Sequence, residues 1–173
     1  MILYHTSTIE IRDPDIYRGR KNADFGQGFY MTSDYEFTHR WAGRDAIVNK
    51  YELNETGLNI QHLERNIEWF EYIFNNRHLK DEIKADVITG PIANDTIFDT
   101  MGILSSGFIK HEIAMQLLMI GPEYTQVVIK TEKAKANLKW IGSEKKTELD
   151  EAVLKAEKDA FAAEFAALFQ KLV

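Results

Sequence analysis

Apolar positions recur along the chain at two spacings, and the spacing assigns the elements. Ile2-Leu3-Tyr4 is a short apolar strand whose C-terminal end opens into polar residues, and Asp13-Pro14-Asp15 marks a turn. Three glycines and several charges between Arg18 and Gly28 predict an irregular loop leading into a second short strand, Phe29 to Thr32. Ser33-Asp34 offers an N-cap, and Phe37, Trp41, Ala42 and Ile47 then fall at helical spacing, so a helix is expected to about Asn49, with a strand from Lys50 to Leu53. Ile67, Phe70 and Phe74, widened by Trp69 and Ile73, predict a second helix over about Leu63 to Asn75. Asp86 to Pro91 reads as a buried strand stopped by a turn. Two helices are expected around Thr96 to Leu104 and Ile109 to Ile120, closed by Gly121-Pro122. Gln126 to Lys130 and Asn137 to Ile141 are β-rich, and the polar connection between them favours pairing or neighbouring positions in one sheet. From Thr147 to Val173, Leu149, Val153, Phe161, Phe165, Leu168 and Leu172 lie near one face, which predicts a long amphipathic helix packed on its own domain or on a partner.

Composition narrows this picture. With 173 residues, 45% of them hydrophobic, the chain is long enough to bury one core and carry a short appendage. No window approaches the roughly 20 apolar residues of a bilayer span. The N-terminus carries no basic leader, so a cytoplasmic protein without membrane association is expected. The absence of cysteine removes disulfides, thiolate nucleophiles and Cys-based zinc sites. A net charge of −6 argues against broad binding to a phosphate backbone, although Arg18-Gly-Arg20-Lys21 could hold a small anion or be a solvated loop.

Two local motifs fail on context. Asp24-Phe25-Gly26 looks like the metal-holding tripeptide of protein kinases, but no upstream Gly-rich loop or His-Arg-Asp segment accompanies it. His111-Glu112 begins like a zincin helix, yet Met115 stands where the second histidine ligand is needed, and no metal site is expected. The stronger signal pairs Tyr4-His5-Thr6-Ser7 with Gly26-x-Gly28-Phe29-Tyr30-Met31-Thr32-Ser33 about 20 residues on. Glycines there would let the backbone approach a flat ligand, and a strand-end aromatic could stack on its ring.

This arrangement resembles the His-Tyr branch of the ADP-ribosyltransferase superfamily, the branch of diphtheria-type toxins and poly(ADP-ribose) polymerases. More closely, it resembles an uncharacterised bacterial family related to those enzymes. The pattern is Leu3-Tyr4-His5, then Asp24 to Thr32, then Trp41-Ala42 on a helix. Further matches are Asn76-Arg77, Asp86 to Asp95, Gln126 before an apolar strand, Thr131 to Ala134, and Leu138 to Ile141. The resemblance covers about residues 2 to 142. It implies an α+β fold, a split and twisted β core with flanking helices that binds NAD between two small sheets. On that likeness His5 bonds the nicotinamide-side ribose, the backbone at Thr6 faces the carboxamide, and Tyr30 stacks on the nicotinamide. Phe25, Gly28 and Ser33 line the pocket, and Arg20 or Lys21 balances the pyrophosphate. Thr6 stands where relatives usually carry glycine.

Active transferases of this branch place a Glu at the start of a later strand, where it stabilises the positive charge that develops as nicotinamide departs. This chain has Gln126 there, a residue the related bacterial family favours, and Glu123 three residues earlier as a substitute. An amide can bond the ribose but brings no negative charge. The expected division is therefore a transferase-like domain over 1–142 and a C-terminal helix over 143–173. The expected activity is NAD-dependent transfer of ADP-ribose to a protein, nucleic-acid or small-molecule acceptor. Its alternatives are a catalytically altered NAD or nucleotide binder acting as a partner-controlled effector, and an interaction domain of toxin–antitoxin or phage-defence type. In either, an antitoxin-like partner or a second copy would dock on the C-terminal helix.

Overall fold

A computed structural model describes residues 1–41, 45–93, 116, 120, 123–146 and 151–172. The chain forms two compact units: Met1–Ile92 with Tyr124–Leu149, and Ala93–Glu123 with Asp150–Val173. Among the described residues no helix is long and apolar enough to cross a membrane.

The first unit is a seven-stranded mixed sheet with helices, an α+β fold. Its strands are β1 (Ile2–Ser7), β2 (Phe29–Thr32), β3 (Ala46–Leu53), β4 (Ile60–His62), β5 (Val87–Pro91), β6 (Thr125–Ile129) and β7 (Leu138–Lys146), in spatial order β4-β5-β6-β2-β1-β3-β7. The ladders on either side are continuous. β1 and β3 pair from Ile2↔Glu52 to Ser7↔Ile47, and β2 and β6 from Phe29↔Ile129 to Thr32↔Gln126. Between β1 and β2 only Tyr4↔Thr32 is in register. The sheet is therefore split at its centre, with one half β4-β5-β6-β2 and the other β1-β3-β7.

Alternation along the strands sorts the side chains. Leu3, Phe29, Met31, Tyr51, Leu53, Val87, Val127 and Ile129 share a core with Ile16 and Ala134. Tyr4, Thr32, Tyr30, Gln126 and Val128 take the opposite face, because residues paired across antiparallel strands point the same way. That second face is covered on the β5–β6 side by α2 (Ile67–Arg77). Asn66 caps this helix, its side chain accepting from Trp69 N at 3.0 Å, and the buried stripe is Trp69, Phe70, Tyr72, Ile73 and Asn76. Phe74, expected on this stripe, is exposed. β5 is buried throughout, Thr89 included, as befits a strand covered on both faces.

Three expectations are corrected. Of the helix expected from Ser33 to Asn49, the described residues form α1 (Thr38–Trp41), and Ile47, Val48 and Asn49 belong to β3. Asp45, at φ 60, turns the chain just before the strand, and from Ala46 the pairing with β1 imposes a period of two on residues that also fit a helical stripe. β6 and β7 share the sheet but neither pair nor neighbour one another. The link between them contains α3 (Glu132–Ala136), capped by Thr131 and anchored by the buried Ala134, which carries the chain to the far edge beside β3. β4, only three residues long, was not anticipated and pairs parallel with β5. The helices expected at 96–104 and 109–120 lie outside the described residues. In the second unit, α4 (Glu151–Leu172) carries Phe161, Phe165 and Phe169 at a spacing of four, with successive ring centroids 6.3 and 6.2 Å apart.

Candidate functional site

The loop that precedes β2 is held by its own side chains and by α2. Tyr30 Oη accepts from Phe25 N at 2.9 Å and donates to Gly26 O at 2.7 Å, so the phenol closes the loop onto the strand it enters. Burial pushes this hydroxyl well above the ordinary phenol range, and it stays neutral. Asp24 takes two bonds from Arg77, Nε at 2.7 Å and Nη2 at 2.6 Å, while Asn76 Nδ2 donates to Asp24 O at 3.1 Å. Lys130, at the end of β6, donates to Phe25 O and pairs with Asp81, which also accepts from Tyr72 Oη at 2.8 Å.

The glycines of this loop meet protein rather than open space. A Cβ on Gly28 would lie 2.5 Å from Val128 Cγ1 and 2.7 Å from Ile129 O. Gly26 has φ +74, and a Cβ there would lie 2.5 Å from Asp81 Oδ2. Phe25 is fully buried, 6.0 Å from the Tyr72 ring. Asp24, Phe25, Gly26, Gly28 and the Tyr30 hydroxyl are thus committed to internal contacts.

His5 stands at the split. Its ring lies against Phe29, centroids 4.4 Å apart, and Nδ1 bonds Tyr30 O at 2.7 Å, where the widening strands have no ladder bond. A carbonyl can only accept, so Nδ1 carries the proton and neutral His5 keeps its lone pair on Nε2. Among the described residues Nε2 has no hydrogen-bond partner. Desolvation lowers the pKa, with the Tyr30 carbonyl opposing it less strongly, which favours the neutral ring. Beside it, Asn49 is fully buried and clips the following loop: Oδ1 accepts from Ile11 N at 2.8 Å and Nδ2 donates to Ile9 O at 3.0 Å.

Gln126 is the second residue of β6, paired with Thr32 on one side and Gly90 on the other. It is 4% exposed, and Nε2 donates to Pro91 O at 3.4 Å, a carbonyl that also accepts from Trp69 Nε1 at 3.0 Å. Tyr30 and Gln126 share a face, one step apart diagonally on β2 and β6. The His5 ring lies on the other face and reaches Tyr30 through the latter's carbonyl. Thr6 Oγ1 donates to Thr38 O at 3.3 Å, tying β1 to α1. Arg20 is exposed and close enough to act electrostatically on the Tyr30 phenol, whereas Lys21, Ser33 and Glu123 are exposed.

Asp81, Lys130 and Asn49 are the residues of this region that the sequence did not single out. Each acts through a partner 38 or more positions away, so no local spacing announces it.

Two comparisons with known proteins bear on this site. Residues 1–140 match the family described as Protein of unknown function (DUF3990). No curated protein matches the chain.

Proposed function

Because the chain belongs to the DUF3990 family, whose description assigns no activity, we propose a function from the split in the sheet: binding of NAD there and transfer of its ADP-ribose to an acceptor. One observation carries the reading. His5 stands on β1 where that strand parts from β2 after a single residue pair, and Tyr30 and Gln126 stand on the next two strands, β2 and β6, with their side chains on the opposite face, so a ligand reaching all three would enter through the gap itself. A flat ligand entering where the strands separate after one pair would break no existing ladder.

Each residue brings a suitable group. Neutral His5 offers Nε2 as an acceptor for a ribose hydroxyl. The half-buried Tyr30 ring, its hydroxyl already bonded, can present a face to an aromatic ring. Gln126 has one amide hydrogen engaged by Pro91 O and offers Oε1. In the reaction the bond between C1′ and the nicotinamide nitrogen breaks, its electron pair leaves with nicotinamide, and the acceptor bonds C1′ and gives up a proton. The DUF3990 family would then be a relative of the ADP-ribosyltransferases.

A second reading is binding without turnover, as a partner-controlled effector. The observation in its favour is Gln126, a buried neutral amide where a carboxylate would stabilise a developing cation better. Calorimetric titration with NAD, followed by measurement of nicotinamide release with cell lysate as acceptor source, separates the two. Binding that His5→Ala weakens, with release, supports transfer; such binding without release supports the effector. No binding of NAD by the folded protein rejects both.

A further inference from the structure

On the face that carries Tyr4, away from the His5 ring, the β1-β3-β7 half of the sheet has a hollow of about 420 Å³ lined by Tyr4, Tyr35, Val48, Lys50, Gly142, Ser143 and Glu144. The hollow is open to solvent on one side, and its volume lies at the small end of the roughly 300–1,000 Å³ of small-molecule pockets, the size range of a mononucleotide. Three features make it a formed site. Tyr4 and Tyr35 meet edge to face, centroids 5.2 Å apart and planes at 67°, and Tyr35 Oη donates to Glu144, so both rings are fixed. Lys50 Nζ lies 6.0 Å from the Tyr4 centroid and, among the described residues, makes no ion pair or hydrogen bond. Opposite Lys50, β7 bulges and places Gly142 at φ +156 with nothing within 4 Å of its missing Cβ, which leaves the edge of the hollow open.

We propose that this hollow binds a nucleotide with an amino-bearing base. The tyrosine pair supplies an aromatic wall for the base. The second oxygen of Glu144, without a partner among the described residues, accepts from the exocyclic amino group. Lys50 takes the phosphate. A base with a carbonyl in place of the amino group sets oxygen against the carboxylate, so Glu144 selects the base and Lys50 the phosphate. The ligand is a free nucleotide or the phosphorylated end of a strand, and both present the same base and phosphate. The site is separate from the proposed NAD site at the split and does not depend on that reading.

The test is equilibrium binding to the full chain of CMP and UMP, which are no part of NAD, with AMP and IMP as the purine pair. CMP is expected to bind at least tenfold tighter than UMP, and AMP than IMP. Lys50→Gln should weaken CMP tenfold or more while changing cytidine less than twofold, and Tyr35→Leu should weaken both. A 5′-phosphorylated oligonucleotide ending in cytidine tells the sources apart: tighter binding than CMP assigns the strand end, equal or weaker binding the free nucleotide. Circular dichroism of each variant secures that it is folded. Equal affinity for CMP and UMP overturns the proposal, as does CMP affinity indifferent to Lys50→Gln. Loss of CMP binding in a folded His5→Ala variant would move the ligand to the split and overturn it too. Failure of NAD to bind, with CMP binding as described, rejects the transferase reading and leaves this one standing.

Discussion

Gly28→Ala separates two explanations of the glycine pattern. If the glycine lets backbone approach a ligand, a methyl group there weakens NAD binding and leaves the fold alone. The structure predicts the reverse. The added carbon would sit 2.5 Å from Val128 Cγ1 and 2.7 Å from Ile129 O, against an optimal carbon–carbon separation of about 3.5–4.0 Å. Val128 can turn away, but Ile129 O belongs to a β6 backbone already paired with β2 and β5, so the strands must part locally. Overpacking of this kind costs about 1–3 kcal/mol. Gly28 φ lies outside the left-handed region, so conformational strain adds nothing, and the stiffer unfolded chain returns roughly 0.4–1 kcal/mol. Because both contacts fall well inside 3 Å and one is backbone, the upper half of that range applies, and the net loss of about 1–2.5 kcal/mol corresponds to a fall in Tm of roughly 2–10 °C for a chain of this size. Thermal denaturation followed by circular dichroism measures it, with an NAD titration of the same sample below the transition. An unchanged Tm together with weakened NAD binding would refute the packing account.

Three further outcomes follow from named contacts. Tyr30→Phe removes the acceptor of Phe25 N and the donor to Gly26 O, and should lower stability by about 1–3 kcal/mol in urea titration; an unshifted midpoint would mean that water replaces the phenol. His5 has a folded-state pKa below its unfolded value of 6.5, so the unfolded chain binds the extra proton first and stability falls as pH drops from about 7.5 through 6.5 toward the folded pKa. His5→Gln should flatten that slope in chemical denaturation at a series of pH values, and an unaltered slope would assign it to other groups. Gln126→Glu should be better tolerated at pH 5 than at pH 8, because burial raises the carboxyl pKa and only the protonated acid can still donate to Pro91 O; equal Tm deficits at both pH values would contradict this.

The sequence exposed the elements whose pattern is set locally. β2 was legible from Phe29 to Thr32 because a glycine loop precedes it, and β5 because five consecutive residues are buried. α1 was overdrawn because Phe37, Trp41 and Ile47 fit a helical period by coincidence, while the pairing that makes Ile47 a strand residue comes from Ser7, 40 positions earlier. The relation of β6 to β7 was unreadable for a similar reason, since a short connection cannot reveal that α3 carries the chain past β2, β1 and β3. Within the candidate site, His5, Tyr30 and Gln126 were visible as motif positions. The loops around them were not, because the bonds that hold those loops, Asn49 to Ile11, Lys130 to Asp81 and Lys130 to Phe25, span 38 to 105 positions.

The two blocks that stand out in the sequence divide by role once their contacts are known. Asp24, Phe25, Gly26, Gly28 and the Tyr30 hydroxyl spend their polar and steric capacity on the loop before β2, on α2 and on Lys130, so this block accounts for a rigid entry into β2 even with no ligand present. The first block differs. His5 uses one ring nitrogen on the Tyr30 carbonyl and leaves the other as an unused acceptor on a neutral ring. Gln126 is intermediate, because its donor shares Pro91 O with Trp69. A glutamate in its place would set a carboxylate against that carbonyl, so the amide suits the packing of α2 on β5 and β6 as well as any contact with a ribose. Gln126 therefore fits a fold that needs a hydrogen-bond donor at this strand start. On the proposed reading, contact with a ligand at the split would rest on what Nε2 of His5 and Oε1 of Gln126 can accept, not on a charge held in place.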